Sequence, residues 1–312
     1  MKKNTSQKTR PKLIIDTDPG HDDALALMLL EKSGMLDILA VTTVAGNAAI
    51  DKTTDNARYV LDLIGSRTQL YSGAAEPLVR DLIQAEVHGA GGLAGADVVK
   101  KAELTGDASR RIIELVRSDP HKVSILCLGP ETNLAQAFVD DPELPSLVER
   151  VVMMGGAIAV PGNKNRVGEF NIFVDPEAAD IVFRADVRKT LIPLDACNDV
   201  FLTMADFEKL AGTPLYGPVR SMMAHYIRGI ETYENNSAGA LMYDPLAAYF
   251  LLNPGAFETR MMDVKVETAS ELTRGMTVAD RRAWGGKSPN IEVAMRAGRD
   301  AFTADFIRIL RG

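Results

Sequence analysis

The stretch Leu13-Ile14-Ile15-Asp16-Thr17-Asp18-Pro19-Gly20-His21-Asp22-Asp23-Ala24-Leu25-Ala26-Leu27 decides the fold. Residues 13–15 are branched and apolar, as at the end of a buried strand. Pro19-Gly20 breaks the backbone. Asp22 and Asp23 stand where a helix should begin, with the apolar residues 24–30 as its body. Four aspartates, Asp16, Asp18, Asp22 and Asp23, thus fall within eight residues, between a strand and a helix. Carboxylates this close repel one another, and without compensation some would keep a proton at neutral pH. A hard divalent cation, Ca²⁺ or Mg²⁺, relieves the repulsion through oxygen ligands. The helix N-terminus adds a weaker favourable field. Helix capping accounts for Asp22 and Asp23 but not for Asp16 and Asp18 on the strand side.

The same strand–turn–helix pattern continues outward. Apolar runs at 36–43, 69–72, 123–128, 148–154 and 189–194 read as strands. Helical patterns at 51–63, 107–118, 132–139 and 176–184 separate them. This alternation predicts a single α/β domain, Rossmann-like, with a mostly parallel central sheet flanked by helices and right-handed crossovers. Ligands bind such sheets at the carboxyl ends of the strands. Asp16, Asp18, Asn47, Thr132, Asn133, Glu169, Asn171, Asp195 and Asn198 all follow strand runs and are expected to share one site. Residues 73–97 form a long glycine-rich loop containing His88, and a loop of that length in a compact domain is usually functional or mobile. A second loop covers 157–168. Beyond Phe201 the pattern becomes more helical. Residues 214–233 carry a broad apolar stripe, with Tyr226 and Tyr233 near its end as candidate ligand contacts. Tyr243-Asp244-Pro245 opens a helix over 246–252. Runs at 257–267 and 291–295 read as strands, and 300–310 as a final amphipathic helix.

The 312 residues suit one large α/β domain. A formal net charge of −7 argues against general nucleic-acid binding, which wants a basic face. The two cysteines, Cys127 and Cys197, have no CxxC spacing, which argues against a zinc or disulfide framework. No 18-residue apolar run is present, so no membrane partner is expected and the cytoplasm is the default location. Residues 1–10 are expected to be a disordered leader and 11–312 the catalytic domain.

DTDPGHDD at 16–23 resembles the DxDPGxDD signature of the inosine-uridine nucleoside hydrolase family. VTTVAGN at 41–47, VHGAGGL at 87–93, LGPETN at 128–133, VMMGG at 152–156, EFN at 169–171, DPEA at 175–178, YDP at 243–245 and TRGMT at 273–277 also resemble this family, in its order. The resemblance spans residues 12–311. It implies hydrolysis of the N-glycosidic bond of ribonucleosides with a tightly bound Ca²⁺, in an enzyme that is commonly a homodimer or homotetramer. By motif position it implies Asp18, Asp23, the Thr132 carbonyl and Asp244 as metal ligands, with Asp18 also the general base. Asp22 and Asn171 would bind ribose hydroxyls, Asn47 would lie at the ribose and water, and Asn163 and Glu169 would bind the 5′-hydroxyl end. Asp16 would support its neighbours, and His21 would be peripheral. These chemistries agree: a cation lowers the pKa of water, a carboxylate takes its proton, and anionic and amide groups suit an oxocarbenium-like state.

One position departs from the pattern. The branch accepting both purines and pyrimidines has a histidine leaving-group acid before the last aspartate, where this chain has Tyr243. A tyrosine with a pKa near ~10 is a weaker donor at neutral pH. His88, in the long loop, His225, Tyr226, Tyr233 and the single tryptophan, Trp284, are the other candidates for that role, the alternative being chemistry that relies on oxocarbenium stabilisation. Asp16-Thr17-Asp18 after a strand also resembles haloacid-dehalogenase-type phosphatases, a reading that leaves Asp22 and Asp23 unexplained. A catalytically impaired Ca²⁺-dependent nucleoside-binding protein is a third reading, resting on Tyr243 alone.

Overall fold

The computed structural model describes residues 10–234, 236–282 and 288–312. The leader expected over 1–10 lies outside the described residues except for Arg10, and Trp284 lies outside them as well.

The chain opens with β1 (Lys12–Thr17), α1 (His21–Ser33), β2 (Asp37–Thr43), α2 (Ile50–Leu63) and β3 (Gln69–Ser72). It continues through α3 (Ala108–Ser118), β4 (Val123–Cys127), α4 (Thr132–Asp140), α5 (Leu144–Leu147) and β5 (Arg150–Met154). Then follow α6 (Phe170–Val174), α7 (Pro176–Arg184), β6 (Lys189–Ile192), α8 (Leu194–Cys197), β7 (Phe201–Leu202), α9 (Met204–Glu208) and α10 (Tyr216–Tyr233). The last part comprises β8 (Ala240–Leu241), α11 (Tyr243–Leu252), β9 (Phe257–Met262), β10 (Val264–Val266), β11 (Thr277–Ala279), β12 (Ile291–Ala297) and α12 (Arg299–Arg311).

Eight strands form one sheet in the order β3-β2-β1-β4-β5-β6-β12-β9. All neighbours run parallel except β9, which is antiparallel to β12 at the edge. β1 lies at the centre, paired with β2 on one side and β4 on the other. The chain therefore winds one way through β3 and the other way from β4, and the switch point falls between the carboxyl ends of β1 and β4. Side-chain alternation divides the core between the two faces. Leu13, Ile15, Val41 and Leu126 pack with α1, α10, α11 and α12, whereas Ile14, Ile125 and Cys127 pack with α3, α4 and α7. Residues 24–30 of α1 are buried all round because α2, α10, α11 and α12 pack around the helix. Gly34, at φ 60°, ends that helix in the left-handed region.

Several expected elements end differently. The run at 257–267 is two strands: Asn290 bonds both the N–H and the carbonyl of Val264 and turns β10 out of the main sheet to pair with β11. The run at 189–194 stops at Ile192 because Pro193 has no N–H to continue the ladder, and residues 194–197 are helical. The run at 148–154 begins only at Arg150. Just past the second loop, α6 begins at Phe170, with the Glu169 carboxylate accepting the Asn171 and Ile172 N–H groups as its cap. The long loop after β3 runs to α3 without a helix or strand. Among the described residues no helix is long and apolar enough to cross a membrane.

Candidate active site

β1 delivers Asp16 in its last turns and Asp18 just past its end, and Asp22 and Asp23 occupy the first turn of α1. Each is tied down by different neighbours. Asp16 accepts the Thr42 hydroxyl at 2.6 Å and the Asn133 amide at 2.8 Å, and burial pushes its carboxyl up to about 6. Asp18 accepts the Asn47 N–H at 2.7 Å on Oδ2, while Oδ1 is buried with no partner. Gly46 and Gly129 make room for it, since a Cβ on either would lie 2.1 or 2.5 Å from a carboxylate oxygen of Asp18. Asp23 accepts the Gly20 N–H at 2.9 Å, the Asn47 amide at 3.1 Å and the Thr17 hydroxyl at 2.5 Å. Asp22 keeps a buried, partnerless Oδ1.

α11 brings Asp244 to the same point. Carboxylate oxygens of Asp22, Asp23 and Asp244 lie within 4.8 Å of one another. Asp18 stands beside this group rather than in it, drawn toward the Asn47 main chain. Burial, and then the charge of Asp23, raise Asp18, Asp22 and Asp244 well above the usual carboxylate range. Acids in that state need either protons or a cation. The donors are all oxygen, and two of their buried oxygens are unpaired, so the residues present fit a hard divalent ion. Thr132 opens α4 and spends its hydroxyl on Asp175 at 2.7 Å, which leaves its carbonyl as the candidate donor.

Asp22 and Asp244 line a cleft of about 300 Å³. Asn171 donates its amide to the Leu128 and Met154 carbonyls at 2.7 and 3.2 Å, so its own carbonyl oxygen remains for a ligand. The Glu169 carboxylate accepts the Gly156 and Asn171 N–H groups, both at 2.9 Å, and burial raises it to about 7. Asn163, which accepts the Phe170 N–H at 3.0 Å, lies on the same wall. His88 enters from the long loop, with Nε2 3.9 Å from Asp22. Burial, with His21 alongside, holds it well below the usual histidine range, so the ring is neutral. Tyr243 lines the cleft and donates its hydroxyl to Glu234 at 2.7 Å. Tyr233 sits at the rim, 61% exposed.

The cleft thus brings together Asp22, Asn47, His88, Asn163, Glu169, Asn171, Tyr233, Tyr243 and Asp244, whereas Asp18, Asp23 and Thr132 are buried and are not part of its lining. It does not include Asp195, which instead accepts the Ile158 and Ala159 N–H groups, or Asn198, which is exposed. His225 is exposed beside Gly95. His21, expected at the periphery, is fully buried. Its Nδ1 lies 2.9 Å from His88 Nδ1 and its ring stacks on His88 and Tyr226. Glu234 is a cleft residue that no motif marks; its sole sequence signal is adjacency to Tyr233 at a helix end.

A family model described as inosine-uridine preferring nucleoside hydrolase matches residues 13–304. The chain is 39% identical over 302 residues to the pyrimidine-specific ribonucleoside hydrolase RihA of Shewanella sp. strain MR-4, covering 94% of each chain. Among solved structures it is similar to the plant nucleoside hydrolase PpNRh1, with a TM-score of 0.90, 28% identity, and coverage of 97% of this chain and 100% of that one. It is also similar to a purine-preferring ribonucleoside hydrolase from Gardnerella vaginalis, with a TM-score of 0.89, 29% identity, and coverage of 96% and 98%.

Proposed function

The chain belongs to the inosine-uridine preferring nucleoside hydrolase family and is a ribonucleoside hydrolase; from that premise we propose that it uses Ca²⁺ and that Asp18 takes the proton from the attacking water. The observation that carries this reading is the buried, partnerless Asp18 Oδ1 beside the Asp22–Asp23–Asp244 cluster. Asp18, Asp23, Asp244 and the Thr132 carbonyl would hold the ion, an oxygen set that suits calcium. When bound, the ion neutralises the crowded carboxylates and lowers the pKa of water.

The remaining roles belong to the protein. The Asn47 N–H fixes one Asp18 oxygen and so directs the other. Asp22 and the Asn171 carbonyl oxygen bind ribose hydroxyls, and Glu169 and Asn163 hold the 5′-hydroxyl end. Anionic Asp22 and the amide dipoles favour the positive charge that develops on the sugar as the N-glycosidic bond breaks. Neutral His88 faces the departing base. Asp16 stays behind the site, orienting β1 through Thr42 and Asn133.

Pyrimidine ribonucleosides are the substrates we put first, a choice supported by the 39% identity to RihA. The phosphatase alternative is not favoured, because the family match runs across the chain and Asp22, Asp23 and Asp244 converge. A cytoplasmic homodimer or homotetramer is the assembly that goes with this reading. The test is release of free base from a panel of nucleosides with and without a chelator. We expect turnover that chelation abolishes and Ca²⁺ restores; turnover indifferent to chelation would remove the ion from the mechanism.

A further inference from the structure

One carboxylate in the cleft has no part in the roles above. Glu234 follows Tyr233 at the C-terminal cap of α10 and faces the same cleft as Asp22, His88 and Asn171. Among the described residues its hydrogen-bond partner is Tyr243, whose hydroxyl donates to Oε2 at 2.7 Å. Its electrostatic neighbours in the cleft include Asp22 and Glu169, both acids. Among the described residues no donor reaches Oε1, which stands beside these acids in the cleft, so the N–H or O–H of a bound ligand can pair with it. The ribose hydroxyls already have Asp22, Asn171, Asn163 and Glu169. The base edge is the part of the ligand left to meet Glu234.

Tyr243 has one hydroxyl proton, and it is committed to Glu234. Tyr243 therefore acts through the carboxylate it holds. Where a histidine would offer a ring nitrogen, this chain offers a carboxylate fixed by a phenol.

We propose that Glu234, positioned by Tyr243, reads the nucleobase: Oε1 accepts a hydrogen bond from an N–H on the base edge, which selects ribonucleosides whose base carries an imide or amino N–H. Uridine, with its N3–H, is the simplest such substrate. The proposal rests on the ribonucleoside-hydrolase reading of the cleft. A site that offers an acceptor discriminates against ligands that lack a donor, because binding then covers the acceptor without pairing it.

The experiment compares kcat/KM for uridine and for 4-nitrophenyl riboside, which shares the ribose but has no N–H edge, in the wild type, Glu234→Gln, Glu234→Ala and Tyr243→Phe. Wild-type turnover of uridine is the control on the functional reading itself; without it, that reading fails first. Given that turnover, the uridine-to-nitrophenyl ratio should fall roughly tenfold or more in Glu234→Ala, and less in Tyr243→Phe, which leaves the carboxylate present but unheld. Glu234→Gln keeps the shape and guards against misfolding, and its ratio should fall as well. 3-Methyluridine is the matching change in the substrate: Glu234→Ala should narrow the preference for uridine over it. Losses shared equally by both substrates would make Glu234 structural, and an unchanged ratio would remove it from base recognition. Either result overturns the proposal.

Discussion

At Asp18 one carboxylate oxygen is fixed by the Asn47 N–H and the other is buried with no partner. An amide at this position would keep the first bond through its carbonyl oxygen but would place an NH₂ where a proton acceptor is needed. Asp18→Asn should therefore lower kcat roughly 10²–10⁴-fold, the usual worth of a general base. Measured with chelator present, its unfolding temperature should hold or rise, because one of the mutually repelling carboxylates is gone. A near-parental kcat would show that another group takes the proton. Glu131 is the opposite case. It is fully buried beside the site, both its oxygens lack partners, and it makes no side-chain cap for α4. Burial holds its carboxyl well above the usual range, so the folded protein keeps the proton. An acid with a raised folded pKa stabilises fully below its unfolded value near ~4.5 and loses that contribution as pH rises toward the folded value. Glu131→Leu should raise stability by about 1–3 kcal/mol, and the gain should be larger at pH 8 than at pH 5 in urea unfolding. A gain that does not grow with pH would mean that Glu131 is not held neutral.

Among the elements, the turns after β2 and β4 carry the steric requirement that bears on Asp18. Gly46 and Gly129 lie so close to Asp18 that either Cβ would overlap its carboxylate, and the Gly46 Cβ would also meet Pro130 at 2.9 Å. Gly46→Ala should cut kcat/KM by roughly 100-fold, since moving a catalytic group by about 1 Å costs that much. Circular dichroism should report a native fold. Full activity would mean that the turn yields more easily than its packing suggests. Much at this scale was legible beforehand. Apolar runs closed by Gly and Pro placed the parallel strands, because burial on both faces leaves continuous apolar sequence. Two departures have local causes that periodicity does not encode. Glu169 turns back to cap α6, and Asn290, distant in sequence, redirects β10 through the Val264 backbone.

For the whole molecule, the sheet's reversal between β1 and β4 lets residues from α1, α6 and α11, and from the turns after β2 and β4, meet over one cleft. An ion bound to the folded site alone stabilises it by mass action, about 2.7 kcal/mol at a hundredfold excess over Kd. Chelation should lower the unfolding temperature and Ca²⁺ should restore it, as scanning calorimetry would report. An unfolding temperature indifferent to both would separate the acid cluster from any ion. The α/β class, the expectation of a site at the strand ends and the need to neutralise Asp16, Asp18, Asp22 and Asp23 were readable from residues alone, because they follow from local pattern and from charge density over a few residues. Packing in three dimensions set Asp195, Asn198 and His225 apart, stacked His21 on His88 and turned the Tyr243 hydroxyl to Glu234. Those are contacts across packed elements, where distance along the chain carries no information and side-chain direction is set by what each element packs against.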